Sequence, residues 1–254
     1  MGIIRTIITI AAIAGATLVW NRVSIDVQRP AAEPVPAFVR QPSKGLAINR
    51  RTVNGRTYTV FVGPHVRLAL TRPSREDPRV LLAVAGTYTS PRDTVEGYVV
   101  HGGRVVQASE RQGWDGAVIF RPSRVEILQT ENGRLLTRTL LANLAAHDAS
   151  LVQTHLLVYG WDPIRFKPQP ALPRRALAIF TNNAAAIIES ADATDLTTFA
   201  ADLAALGIRD AANLDMGTWS EGWYRDPATG AITMLGIPNP ATARQTNWIV
   251  LEER

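Results

Sequence analysis

Between residues 57 and 251 the chain is built from short β-branched and apolar runs, each closed by glycine, proline or asparagine. Only two stretches keep a helical period. A chain with that punctuation has little choice but antiparallel sheet. Thr57-Tyr58-Thr59-Val60-Phe61-Val62 stops at Gly63-Pro64, and Val66 to Leu70 alternates in part before Pro73. Val80 to Ala85 is apolar without interruption, which predicts a central strand buried on both faces. Tyr98-Val99-Val100 and Arg104-Val105-Val106 flank His101-Gly102-Gly103, a hairpin signal. Ala117 to Phe120 and Arg124 to Leu128 form another pair around Pro122. Leu151 to Tyr159, Ala176 to Thr181, Ala184 to Glu189 and Asn247 to Leu251 complete the expected strands.

The two helical stretches are Leu135 to Ala146, with Leu136, Leu140 and Leu144 on one face, and about Asp195 to Leu206. In the second, Leu196, Phe199, Ala200, Leu203 and Leu206 line one face, Thr194 is placed to cap the start, and Gly207 suits the position after the end. At the N-terminus, residues 6–20 carry no charge between Arg5 and Arg22. That run is slightly short of the roughly 20 residues of a membrane span. Its small residues, Ala14-Gly15-Ala16, lie inside the apolar run rather than after it, so an uncleaved signal anchor is favoured over a cleaved peptide. The expected fold class is therefore α+β: a mostly antiparallel β-sheet with two packed helices, plus an N-terminal apolar membrane-anchor helix. The expected organisation is an anchor over 1–22, a Pro-rich linker over 23–44 and one domain over 45–254, the domain lying in the periplasm or outside the cell.

Composition removes several classes. Hydrophobic residues at 46% and charged residues at 19% exclude a disordered chain. The absence of cysteine excludes thiol nucleophiles and disulfides. The net charge of +5 comes from arginines scattered along the chain, and a nucleic-acid footprint would be a patch or stripe, so no nucleic-acid partner is expected. No phosphate-binding glycine loop, dinucleotide fingerprint, HExxH or GxSxG motif occurs. The four histidines lack metal-ligand spacing, so neither a metal nor a cofactor is expected.

One segment stands apart. After the second helix, Ala211-Ala212-Asn213-Leu214-Asp215 reads as a buried strand, and Met216-Gly217-Thr218-Trp219-Ser220 as the polar loop it feeds. Loops on rigid scaffolds concentrate chemistry. The order of segments from Thr57 to Glu252 resembles the phosphodiester glycosidase family. Val84-Ala85-Gly86-Thr87-Tyr88 resembles that family's strand and Gly-aromatic loop, and Glu96-Gly97-Tyr98-Val99-Val100 with Gly103-Arg104-Val105 its following hairpin. Gln153-Thr154-His155-Leu156-Leu157-Val158-Tyr159-Gly160 and Arg174-Arg175-Ala176-Leu177-Ala178 resemble two further strands, and Asn213-Leu214-Asp215 the Asn-Leu-Asp that precedes a glycine-rich loop. Here that loop departs from the pattern, with Met216 and Thr218 where the family has glycine, and Val84 stands in place of the family's loop asparagine.

The resemblance implies a hydrolase that frees a sugar from a glycosyl phosphodiester. It implies Asp215 and Glu96 as the catalytic carboxylates, with Asp93 and Asp115 in reserve. It places Arg175, Asn213, Thr87, Tyr88, Trp219, Ser220 and Asn182 around the substrate. Glycoside cleavage ordinarily takes two carboxyl groups, and a guanidinium matches a phosphate in bidentate fashion. Trp114 and Trp219 are also placed to stack on a sugar ring. Other readings stay open: Asp215 as a loop cap, Glu96 as a solvated hairpin residue, Trp114 and Trp219 as core packing, Asn182-Asn183 as a turn. At the level of function, hydrolysis, binding of an envelope glycan or phosphate-bearing ligand without cleavage, and a structural role in the envelope all survive. The expected partners are that glycan or glycosyl phosphodiester and, through the N-terminal helix, a membrane.

Overall fold

A computed structural model describes residues 39–109, 111–216 and 220–253. The first strands in chain order are β1 (Ala47–Val53), β2 (Arg56–Val62), β3 (His65–Ala69), β4 (Val80–Ala85), β5 (Val99–His101) and β6 (Arg104–Gln107). Then come β7 (Gly116–Arg121), β8 (Arg124–Gln129), helix α1 (Arg138–Ala146), β9 (Ser150–Thr154), β10 (Leu156–Tyr159) and β11 (Asp162–Pro163). The rest are β12 (Arg175–Phe180), β13 (Ala185–Ser190), helix α2 (Leu196–Ala205), β14 (Ile208–Asn213), β15 (Gly222–Arg225), β16 (Ile232–Leu235) and β17 (Trp248–Glu252).

These strands make three sheets, ordered β1-β2-β13-β12-β14-β10-β11, β16-β15-β4-β17-β3 and β6-β5-β9-β7-β8. Every strand pairing described is antiparallel. The three sheets share one core. Side chains of a strand alternate between its faces, and β12 shows the result. Leu177 and Ile179 enter the common core with Leu82, Val84, Val118 and Ile249, while Ala176, Ala178 and Phe180 face α2 with Phe199 and Leu203. The uninterrupted apolar run of β4 is likewise buried throughout, at the centre of its sheet.

Helix α2 is fixed at both ends. Asp195, not the expected Thr194, caps its start by accepting from Thr198 N at 2.9 Å, and Gly207 follows its end at φ +81°. A carboxylate also suits a helix N-terminus electrostatically. The expected strand over Leu151 to Tyr159 is two strands of different sheets, parted at His155. The hairpin β15–β16 was not anticipated.

The fold-class expectation needs one correction. Its N-terminal membrane-anchor helix has no counterpart, because among the described residues no helix is long and apolar enough to cross a membrane. The helices α1 and α2 have nine and ten residues. Residues 1–22, on which that expectation rested, lie outside the described residues.

Candidate functional site

The strands β4 and β14 belong to different sheets, and their C-terminal ends meet. Asp215 N donates to Gly86 O at 2.7 Å, and Leu214 N to Arg175 O at 3.0 Å. Asn213 N donates to His155 O at 2.9 Å, and Thr154 Oγ1 to Asn213 O at 2.7 Å. The two loops that carry the sequence's polar signals are thereby stitched together by backbone.

Gly86 makes this approach possible. A Cβ there would stand 2.1 Å from Asn247 Oδ1. Asn247 is fully buried, accepts from Thr87 N at 2.6 Å and donates to Thr87 O at 2.9 Å. Gly86→Ala is expected to cost about 2–4 kcal/mol, through overpacking and loss of buried hydrogen bonds. Urea unfolding measures it, and a change under about 0.5 kcal/mol would show that the contact yields freely.

Asp215 is 4% exposed, and its Oδ2 is buried without a partner. Burial pushes its carboxyl up to about 7. Backbone N–H groups of Met216 and Thr89 and the charge of Arg175 act the other way, while the charge of Glu96 adds to the rise. Tyr88 lies within electrostatic reach of this carboxyl. Its hydroxyl accepts from Asn213 Nδ2 at 2.6 Å, and burial with the nearby Asp215 charge raises it to about 12. The ring of Tyr88 lies 4.8 Å from Trp114 and 6.3 Å from His155. His155 is 5.6 Å from Trp114 and meets Phe166 edge-on. Burial holds His155 below the usual histidine range, so it is a neutral aromatic wall at pH 7.

Arg175 shares the inward face of β12 and is fully buried. Its Nε and Nη2 donate to Glu189 Oε2 at 3.2 and 3.0 Å, and Nη2 to Ser220 O at 3.0 Å. Nη1 is buried and unpartnered. Arg174 is also buried, donating from Nε to Thr194 O and from Nη2 to Pro170 O. Both arginines at this end of β12 are therefore buried.

Glu96 is linked to the loop of Tyr88 by its own N–H, which donates to Tyr88 O at 3.0 Å. Its carboxylate is partly exposed and pairs with Arg111 Nε at 3.2 Å. Gln153, fully buried, sets this wall. It accepts from Tyr98 N and Arg111 N, and donates to Arg111 O and Trp114 O. All its hydrogen-bonding capacity is thus spent on holding Tyr98, Arg111 and Trp114 in place.

Of the residues expected around a substrate, Asn213, Tyr88, Arg175 and Ser220 gather about Asp215, with Glu96 within electrostatic reach. Thr87 is buried behind them against Asn247. Asn182 is not part of this group. It lies beyond Phe180, at the opposite end of β12 from Arg175, where its side chain accepts from Ala184 N in the turn to β13. Trp219 lies outside the described residues. Of the two reserve acids, Asp115 accepts from Leu156 N, and Asp93 pairs with Arg244. Gln153, Asn247 and His155 were not expected at the site. Gln153 ends β9 two residues from His155, while Asn247 directly precedes β17, so no local spacing links Asn247 to the other two. Among the described residues, no group of three or more His, Cys, Asp or Glu is arranged to hold a metal ion.

The fold of this domain has a counterpart among solved structures. The catalytic domain of zebrafish N-acetylglucosamine-1-phosphodiester alpha-N-acetylglucosaminidase, auto-inhibited by its pro-peptide, matches with a TM-score of 0.57 at 13% identity, over 88% of this chain and 87% of that one. At that identity the likeness is a distant one of fold. A hypothetical protein from Synechocystis matches with a TM-score of 0.45 and 13% identity, over 81% of this chain and 62% of its own. No family model and no curated protein matches the chain.

Proposed function

We propose that this chain is a hydrolase of the phosphodiester glycosidase type, releasing a sugar from a glycosyl phosphodiester. The observation that carries the proposal is Asp215: a buried carboxyl raised to about 7, at the junction of two sheets, beside a partly exposed Glu96. The fold shared with a glycosidase catalytic domain supports it. In this reading Asp215 keeps its proton up to about pH 7 and gives it to the leaving phosphate oxygen as the bond from the anomeric carbon to that oxygen breaks. Glu96, a carboxylate paired with Arg111, removes a proton from the water whose oxygen joins the anomeric carbon. Arg175 lends positive charge to the site, and the ring wall of Tyr88, Trp114 and His155 faces the sugar.

The same burial favours a second reading, capture without cleavage, because a carboxyl only 4% exposed sits behind Tyr88 and Asn213. A panel of glycosyl phosphodiesters separates the two, with release of reducing sugar as the readout. Glu96→Gln is expected to lower turnover about 100-fold, while stability shifts by no more than about 1 kcal/mol, since only a partly exposed ion pair is lost. Saturable binding of panel members without turnover by the wild-type protein would replace hydrolysis by capture. Neither binding nor turnover would remove both.

A further inference from the structure

We infer that the cleft beside Glu96 is the subsite for the phosphate-bearing part of the ligand, with Arg92 as its principal contact. The inference rests on the function proposed above and specifies which part of that ligand goes where. The cleft holds about 410 Å³ and is lined by Ser90, Arg92, Glu96, Gln107, Ser109 and Arg111 among others. It opens directly from the candidate site, because Glu96 belongs to both.

Both walls are held by hydrogen bonds. On one side, residues 90–94 close a tight loop above the Thr89–Val95 bridge. Ser90 N donates to Thr94 O at 2.8 Å, Asp93 N to Ser90 O at 3.0 Å, and Arg92 N to Ser90 Oγ at 3.1 Å. The loop's only acid, Asp93, is occupied by Arg244 Nη1 at 2.9 and 3.1 Å. Arg92 is therefore presented on a fixed loop, and its guanidinium has no partner among the described residues. On the other side, Gln153 grips the backbone of Arg111 from both its N–H and its carbonyl. The Arg111 guanidinium stands 5.9 Å from the Trp114 ring centre and 3.2 Å from the Glu96 carboxylate.

The charge balance follows. Arg111 neutralises Glu96, Arg244 neutralises Asp93, and Arg92 is left as net positive charge in a cleft with a serine hydroxyl and a glutamine amide. That is the chemistry of a phosphoryl group: a guanidinium offering paired N–H donors, with neutral polar donors around it. Glu96 lines this cleft with Arg92, so a phosphate held there lies next to the proposed base.

The test uses the full chain and inorganic phosphate and methyl phosphate as probes, titrated by phosphorus NMR at constant ionic strength in chloride. Arg92→Gln is expected to weaken both about ten-fold, the scale of one charge-assisted hydrogen bond, while Arg92→Lys retains more than Gln does. In the hydrolysis assay Arg92→Gln is expected to raise KM about ten-fold with kcat within two-fold, and methyl phosphate to inhibit competitively. The Arg92 side chain is exposed and unpartnered, so thermal melts of the variants should overlay the wild type. Phosphate affinity unchanged in Arg92→Gln overturns the subsite even if the wild type hydrolyses the panel. Phosphate affinity lost in Arg92→Gln, with no hydrolysis by the wild type, leaves the subsite standing and overturns hydrolysis alone.

Discussion

Asp215→Asn should silence hydrolysis and at the same time strengthen the fold above neutral pH. The activity side follows from the proposed proton donor: removing it costs about 100- to 10,000-fold in kcat. The stability side follows from linkage. In the unfolded chain an aspartate loses its proton near 3.9, whereas in the fold Asp215 holds it to about 7. Between those values the folded state binds the extra proton, so the wild type loses stability as pH rises, by up to about 4 kcal/mol across the window. That contribution is fully present below the unfolded value and gone above 7. Asparagine keeps the shape and a carbonyl oxygen for the N–H groups of Met216 and Thr89, but has no charge to desolvate. Chemical unfolding from pH 4 to pH 8 should therefore fall with pH for the wild type and run flatter for Asp215→Asn, with the variant the more stable of the two at pH 8. Parallel curves would mean that Asp215 titrates as an ordinary carboxylate. Wild-type kcat should decline as pH rises through about 7; a profile rising there would reverse the roles of Asp215 and Glu96.

The second large effect lies far from the site. Asp202 on α2 is buried and accepts from Arg56 Nε at 2.6 Å, Arg56 Nη2 at 2.9 Å, Asn54 Nδ2 at 2.8 Å and the hydroxyl of Tyr58. Burial alone would raise its carboxyl, but the bonds from Arg56, Tyr58 and Asn54 outweigh it and hold Asp202 below the usual range. Asp202→Ala removes the partner of a partly exposed Arg56 and leaves the buried Tyr58 hydroxyl unpaired. The expected loss is about 3–5 kcal/mol, read from denaturant midpoints. A loss under about 1 kcal/mol would show that water replaces the carboxylate. Because the folded-state value is depressed, the network stabilises above the ordinary aspartate range and is lost as pH falls below it.

Much of the scaffold was legible because its signal is local. The β4 run, the hairpins and the face of α2 each announce themselves within a few residues, and the Asn-Leu-Asp after α2 marked the site by breaking an apolar strand. Elsewhere the signal was present but overlooked: Trp223-Tyr224 and Ile232-Thr233-Met234 flank Asp226-Pro227-Ala228-Thr229-Gly230, which is hairpin chemistry. What no window of sequence contains is the meeting of separate segments. Gln153 holding Arg111, Asn247 holding Thr87, and the burial that raises Asp215 are products of tertiary packing. Asn182 misled because a polar pair ending a strand looks the same whichever end of the sheet it occupies. Thr194 lost the cap to Asp195 because both residues are good caps, one position apart.

Thr154 and Leu156 belong to different sheets, and His155 alone carries the chain from one to the other. A crossing of one residue has no slack. Hairpin tips such as Gly102-Gly103 can lengthen without disturbing either ladder, but an insertion at 155 would slide one sheet past the other and draw Asn213, bonded to His155 O, away from Tyr88. What must be inherited for such a site to persist is a distance along the chain between two ladders. That quantity can outlast the replacement of nearly every side chain around it.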